Sequence, residues 1–238
     1  MPSKGGRGVY VAGLGIAIIR PMQDRNMTPL DRFLSGVNDA LSGVTTRAGR
    51  SVRPNPAENV AEATLNDRQK SHAVGLMRVN HAGEIAAQGL YRGHAAVARN
   101  TDIEEQMQRA ADEEFDHLAW CEQRLTELEA GPSRLLPLWY TGAFAIGLAS
   151  CLLGDRWSLG FIAATEQQVC AHLTRHLDRL PEDDAKSRAI VEKMRDEERE
   201  HGENAIAAGA AELPMPVLHL MKLTAKLMTR TAYWVRNG

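Results

Sequence analysis

No two cysteines in this chain have the spacing of a zinc finger or a redox motif. Cys121, Cys151 and Cys170 stand apart, with no C-x-x-C among them. That argues for a reducing compartment and against a disulfide framework. A glycine-rich nucleotide loop is also missing, so no dinucleotide site is visible. There is no dense basic patch with interleaved aromatics, and a net charge of -2 gives no reason to expect nucleic acid. Period-2 alternation is absent too, which leaves no convincing strand.

What is present is 238 residues with the composition of a soluble globular protein, 44% hydrophobic and 24% charged, and ample length for a core. Residues 1–60 read differently from the rest. The run "VYVAGLGIAII" (9–19) behind Lys4 and Arg7 resembles a signal h-region, but no small-x-small cleavage site follows it. It is too short to span a bilayer. A tail upstream of an internal start at Met27 fits equally well. "TTRAGRSVRPNPAENV" (45–60) is polar and contains prolines, and it reads as a linker. The expected division is a partly disordered N-terminal extension over 1–60 and one helical domain over 61–238.

The expected fold class is all-α, with helices near 66–98, 101–130, 155–180, 184–210 and 215–235, separated by Gly and Pro breakers. Two of these helices carry an anomaly. In the first, the apolar stripe runs Met107, Ala111, Glu114, Leu118, Cys121, Leu125, Leu128. Glu114 thus occupies a core position, with His117 on the same face. In the second, the stripe is Val191, Met194, Glu198, His201, Ala205, Ala208. Each E-x-x-H lies inside an apolar seam, where an unpaired carboxylate is costly.

Each of these helices follows another with a lone inward Glu. One stripe reads Leu159, Ile162, Glu166, Val169, Leu173, Leu177, Leu180; a more polar face carries Val74, Met77, His81, Glu84, Gln88, Tyr91. Glu84 to Glu114 is 30 residues and Glu166 to Glu198 is 32. Two pairs written Glu, then Glu-x-x-His, imply a duplicated hairpin closing into a four-helix bundle. Four inward carboxylates repel one another in a low dielectric, and two cations would remove that cost. One Glu from each of two helices plus E-x-x-H from each of two others is the dinuclear pattern of ferritin-like bundles. The candidate ligands are Glu84, Glu114, His117, Glu166, Glu198 and His201. Carboxylates with imidazole suit iron or manganese better than zinc. Asp112, Glu113, Asp116, Asp196, Glu197 and Glu200 are expected on the solvated face, with one or two of them orienting a ligating His. His94, His172 and His176 are read as non-ligands, and Cys170 as a small buried hydrophobe.

The blocks "MRVNHAGEIAAQGLYRG" (77–93), "EEFDHLAWCEQRL" (113–125), "PLWYTGAFAIGLASCLLG" (137–154), "AATEQQVCAHL" (163–173) and "MRDEEREHGENAI" (194–206) resemble the demethoxyubiquinone hydroxylase family of ubiquinone biosynthesis. The likeness runs from about residue 66 to the C-terminus, and His94 departs from it where Gln is expected. The resemblance implies a membrane-associated di-iron monooxygenase with two Fe ions per chain, bound by the six residues above. It implies hydroxylation with O2 of a polyprenylated methoxy-methyl-benzoquinol, and a peripheral place on the cytoplasmic face of the inner cell membrane. The missing nucleotide loop makes an external electron donor, or the quinol itself, the expected source of reducing equivalents. A homo-oligomer is left open.

"LLPLWYTGAFAIGLASCLL" (135–153) carries no charge over 19 residues. Pro137 and the glycines point to an irregular crossover lying at the bundle surface as a lipid-facing segment rather than a span, the alternative being a core segment. "PMPVLHLMKLTAKLMTRTAYWVRNG" at the C-terminus is amphipathic and basic, which suits an anionic membrane surface or packing on the bundle. Competing readings are a ferritin-like oxygenase on another substrate, an iron-handling or electron-transfer protein, and a metal-free bundle whose Glu and His satisfy each other.

Overall fold

The computed structural model describes residues 53–96 and 101–235. The apolar run 9–19, the internal start at Met27 and the first half of the linker, 45–52, lie outside them. The described residues form six helices and no strand: α1 (Asp67–Ala95), α2 (Thr101–Glu127), α3 (Leu136–Leu152), α4 (Asp155–Leu177), α5 (Ala185–Ala207) and α6 (Met215–Trp234). This is an all-α architecture, consistent with a ferritin-like bundle. α1 packs on α2 and α4 on α5, the two hairpins expected from the repeat; α3 and α6 are added on the outside of α1.

Local sequence explains where helices start. Asn66 accepts from the Gln69 backbone N–H, while the Gln69 side chain accepts from Asn66 N–H, a reciprocal cap. Asp184 accepts from Ser187 N–H at the start of α5.

Two apolar layers divide the bundle along its length. One joins Leu76 and Met77 of α1, Trp120, Cys121 and Leu125 of α2, Leu173 and Leu177 of α4, and Ile190, Val191 and Met194 of α5. The other holds Tyr91, Ala95, Leu159, Ile162, Ala163 and Ala205. Fully burying one large side chain of this kind contributes about 1.5–3 kcal/mol. The inward carboxylates lie between these layers on all four helices.

Two expectations are corrected here. Residues 136–152 form a regular helix rather than an irregular crossover. Pro137 sits in its first turn, where the missing N–H is not needed. One of its glycines, Gly147, marks close approach to α1 instead, as do Gly89 and Gly93 opposite: a Cβ on Gly89 would lie 2.6 Å from the Tyr140 carbonyl oxygen, and one on Gly93 or Gly147 would collide with the carbonyl oxygen of Phe144 or Leu90. Tyr140 and Phe144 of α3 face the core, while Leu138, Ile146, Leu152 and Leu153 remain exposed. Residues 53–60, read as linker, pack on the bundle: Ala57 is buried in the first apolar layer, and Arg53 reaches α2 and α5.

Candidate metal centre

The seam positions bring the six predicted side chains together. Glu84, Glu114, His117 and Glu198 each offer one donor atom, and these atoms lie within 4.8 Å of one another. Glu166, Glu198 and His201 form a second such group. Glu198 belongs to both. Glu114 also spans them, with one oxygen 3.3 Å from His117 Nδ1 and the other 3.4 Å from His201 Nδ1. All four carboxylates and His117 are buried, and His201 is nearly so. His94, His172 and His176 stand outside both groups, as expected.

The two histidines turn Nδ1 inward and Nε2 outward. His117 Nε2 lies 2.6 Å from Glu197 on α5, and His201 Nε2 lies 2.6 Å from Glu113 on α2. Each outer carboxylate directly precedes an inward one, and each serves the opposite helix. A carboxylate on the far nitrogen fixes ring orientation and makes the inward nitrogen a better donor. Asp116 is buried, not solvated, and Glu197 is only 15% exposed; Arg53 ties both together, with Nε 2.6 Å from Asp116 and Nη1 2.5 Å from Glu197. Its guanidinium also lies over the Trp120 ring, 5.0 Å from the centroid. Sequence reading anticipated an orienting carboxylate without naming it. It missed Arg53, whose contacts span 63 and 144 residues. Tyr91 was placed on the inward face, but its partner was not foreseen: its hydroxyl donates to Glu166.

The electrostatics divide the carboxylates by position. Burial and the neighbouring Glu114 push Glu84 well above the usual carboxylate range, and burial with Glu198 does the same to Glu166. Burial opposes ionisation of Glu114 and Glu198, yet other groups outweigh it and hold both low: the facing His117 and His201 for Glu114, and for Glu198 first the hydrogen bond from Glu166 and then the same two histidines. Burial likewise works against charge on the histidines, but the surrounding carboxylates raise His117 well above its ordinary value and His201 to about 12. Protons therefore balance the negative charge of the six side chains.

A cation displaces such protons, and the donor set fits one. Glu114 Oε1 and His201 Nδ1 face each other, both buried and neither with a hydrogen-bond partner. Four hard carboxylates with two imidazoles suit iron or manganese rather than a tetrahedral zinc site. A separate open groove of about 1260 Å³, lined by residues including His72, Arg78, Leu128 and Tyr233, contains none of the six.

The family model described as ubiquinone biosynthesis protein COQ7 matches residues 71–235. The 3-demethoxyubiquinol 3-hydroxylase of Azoarcus sp. (strain BH72) is 57% identical over 205 residues, 86% of this chain and 99% of that protein. The enzyme of the same name from Nitrosospira multiformis is 52% identical over 209 residues, 88% of this chain and 100% of its own length. That of Chromobacterium violaceum is 52% identical over 206 residues, 87% of this chain and 100% of its own length. The chain belongs to the ubiquinone biosynthesis protein COQ7 family.

Proposed function

We propose that this chain is a 3-demethoxyubiquinol 3-hydroxylase, which uses O2 to hydroxylate a polyprenylated benzoquinol in ubiquinone biosynthesis. Membership of the COQ7 family supports the reaction, and the convergence of six inward donors on two adjacent groups is the observation that carries the chemistry. Glu84, Glu114, His117 and Glu198 would hold one iron, and Glu166, Glu198 and His201, with Glu114 reaching across, the other. Bound iron would supply the electrons and coordination that O2 activation requires. The protein's own work is to fix the donors. Glu113 and Glu197 hold the imidazoles, Tyr91 orients Glu166, and the flanking apolar layers keep water from the centre.

The substrate's tail calls for a lipid surface. No helix among the described residues is long and apolar enough to cross a membrane. Leu220, Leu223 and Leu227 make an exposed stripe on α6, with Lys222, Lys226 and Arg230 on the same helix. Together with the outer face of α3, this stripe supports peripheral attachment to the cytoplasmic face of the inner membrane. Reducing equivalents come from an external donor. Residues 61–238, with the 53–60 segment packed on them, make up the hydroxylase domain.

Quinone profiling tests the reading. A strain lacking its own hydroxylase and supplied with this chain should regain ubiquinone, and purified protein should hold about two irons per chain, as a two-metal site requires. Glu114→Ala or His117→Ala should remove both properties. Restored ubiquinone from either variant would overturn the ligand assignment, and no ubiquinone from the intact chain would overturn the reaction.

A further inference from the structure

The two donor groups are related by the repeat, yet their surroundings are not alike. His117 is fully buried and His201 is 12% exposed. Glu197, the outer partner of His117, is 15% exposed, whereas Glu113, the outer partner of His201, is 53% exposed. Glu197 is also held by two cations, Arg53 at 2.5 Å and Lys193 at 2.8 Å. No cation among the described residues holds Glu113 in the same way. The His117 group gathers four residues and the His201 group three. Within the latter, Glu166 already accepts from Tyr91.

We propose that Arg53 is a positioning residue that makes the two metal positions unequal: the His117 position takes its ion first and keeps it, and the His201 position exchanges. The proposal rests on reading the six residues as metal ligands. Arg53 acts through Glu197, and it also bonds Asp116 and the backbone carbonyl of Glu113. Two of its effects oppose each other. Its charge draws electron density from Glu197, which weakens the push on the imidazole, while its grip fixes where that carboxylate stands. The geometry favours the second, because different oxygens serve the two partners: Oε1 faces Arg53, and Oε2 stays 2.6 Å from His117 Nε2. Asp116 anchors the other side of the guanidinium and Trp120 lies beneath it, so the arginine is held from three directions. A lysine could reach one carboxylate as a point charge but could not span both. An exposed carboxylate such as Glu113 is screened by water and free to leave its histidine. Residues ahead of α1 thereby set the affinity of a site formed by four later helices.

The test is a Mn(II) titration of the full chain after chelation, read by loss of the free-ion electron paramagnetic resonance signal. The intact chain should show two dissociation constants at least about 10-fold apart, the scale on which outer carboxylates tune metal sites. Arg53→Met should weaken the tighter constant by about 10-fold and leave the weaker within about twofold, with Arg53→Lys in between. Glu113→Ala should weaken only the looser one. Equal constants in the intact chain would overturn the proposal. So would Arg53→Met acting on both sites alike, which is also what general unfolding would produce. A failure of the ligand reading looks different: no Mn(II) binds, or binding survives Glu114→Ala and His117→Ala.

Discussion

The hydroxyl of Tyr91 on α1 donates a hydrogen bond to the carboxylate of Glu166 on α4, joining the two hairpins through buried polar groups. Burial and the nearby Glu166 charge keep the phenol protonated, and therefore a donor, at any working pH. Tyr91→Phe leaves Glu166 without that donor. Chelated protein should lose about 1–3 kcal/mol, the cost of an unsatisfied buried group. The loss should be smaller when metal is bound, because a cation then satisfies Glu166. Urea denaturation with and without metal measures both. An equal loss in the two states would show that Glu166 gains nothing from the ion.

The contact between α1 and α3 makes a sharp contrast among glycines. Gly93→Ala or Gly147→Ala drives a methyl group into a carbonyl oxygen of the facing helix, so each should destabilise by about 1–3 kcal/mol. Gly142 on the same α3 has nothing within 4 Å of an added Cβ. Gly142→Ala should be neutral or stabilising by up to about 1 kcal/mol. Thermal melts of the three variants decide; a shared loss would mean that helix flexibility, not close approach, is what the glycines supply.

Charge on the outer apolar faces should act on lipid binding alone. Leu223→Asp and Ile146→Asp place charge at exposed positions, and should reduce flotation with anionic liposomes while iron content and melting temperature hold. Phe144→Asp is the counter-case. Phe144 is buried against α1, so its variant should lose several kcal/mol of stability. Unchanged flotation in both exposed variants would remove these faces from any membrane role.

Acid should weaken the fold through His94. Its Nδ1 is hydrogen-bonded with the hydroxyls of Ser158 and Ser150, and burial lowers its pKa from 6.5 to about 4. The unfolded chain takes up the proton first. The stability due to neutral His94 is therefore complete above about pH 6.5 and is lost as pH falls towards 4, at up to about 1.4 kcal/mol per pH unit. Between pH 7 and 5, chelated wild-type protein should lose about 1–2 kcal/mol more than His94→Gln. Urea denaturation at both pH values gives the comparison, and parallel losses would remove His94 as the cause.

The seam was legible because an α-helix imposes a fixed period on whatever faces inward. Glu114 and Glu198 announced themselves as carboxylates at positions meant for leucine, and the structure buries both. Glu113 and Glu197 lie about 100° away from that seam. Their partners depend on how far α2 is slid along α5, which no local pattern records. Arg53 was hidden for the same reason at longer range: a polar, proline-containing stretch looks like a linker unless its distant carboxylates are known. The 135–153 segment misled in another way. Small residues weaken an isolated helix, but they also let two helices approach closely, and composition does not distinguish these uses.

The crossed pairing of outer carboxylates and histidines has a consequence for assembly. His117 belongs to the first hairpin but is steadied by Glu197 of the second, and His201 belongs to the second but is steadied by Glu113 of the first. Half of the chain is thus not half of a centre. Each hairpin can collapse early through contacts between sequence neighbours, which close short loops. The centre exists only once the hairpins have docked in register, with Cys121 against Met194 and Arg124 against Asp184 below it. Its completion requires correct docking, and an ion captured there would act as a latch across the two halves of the chain.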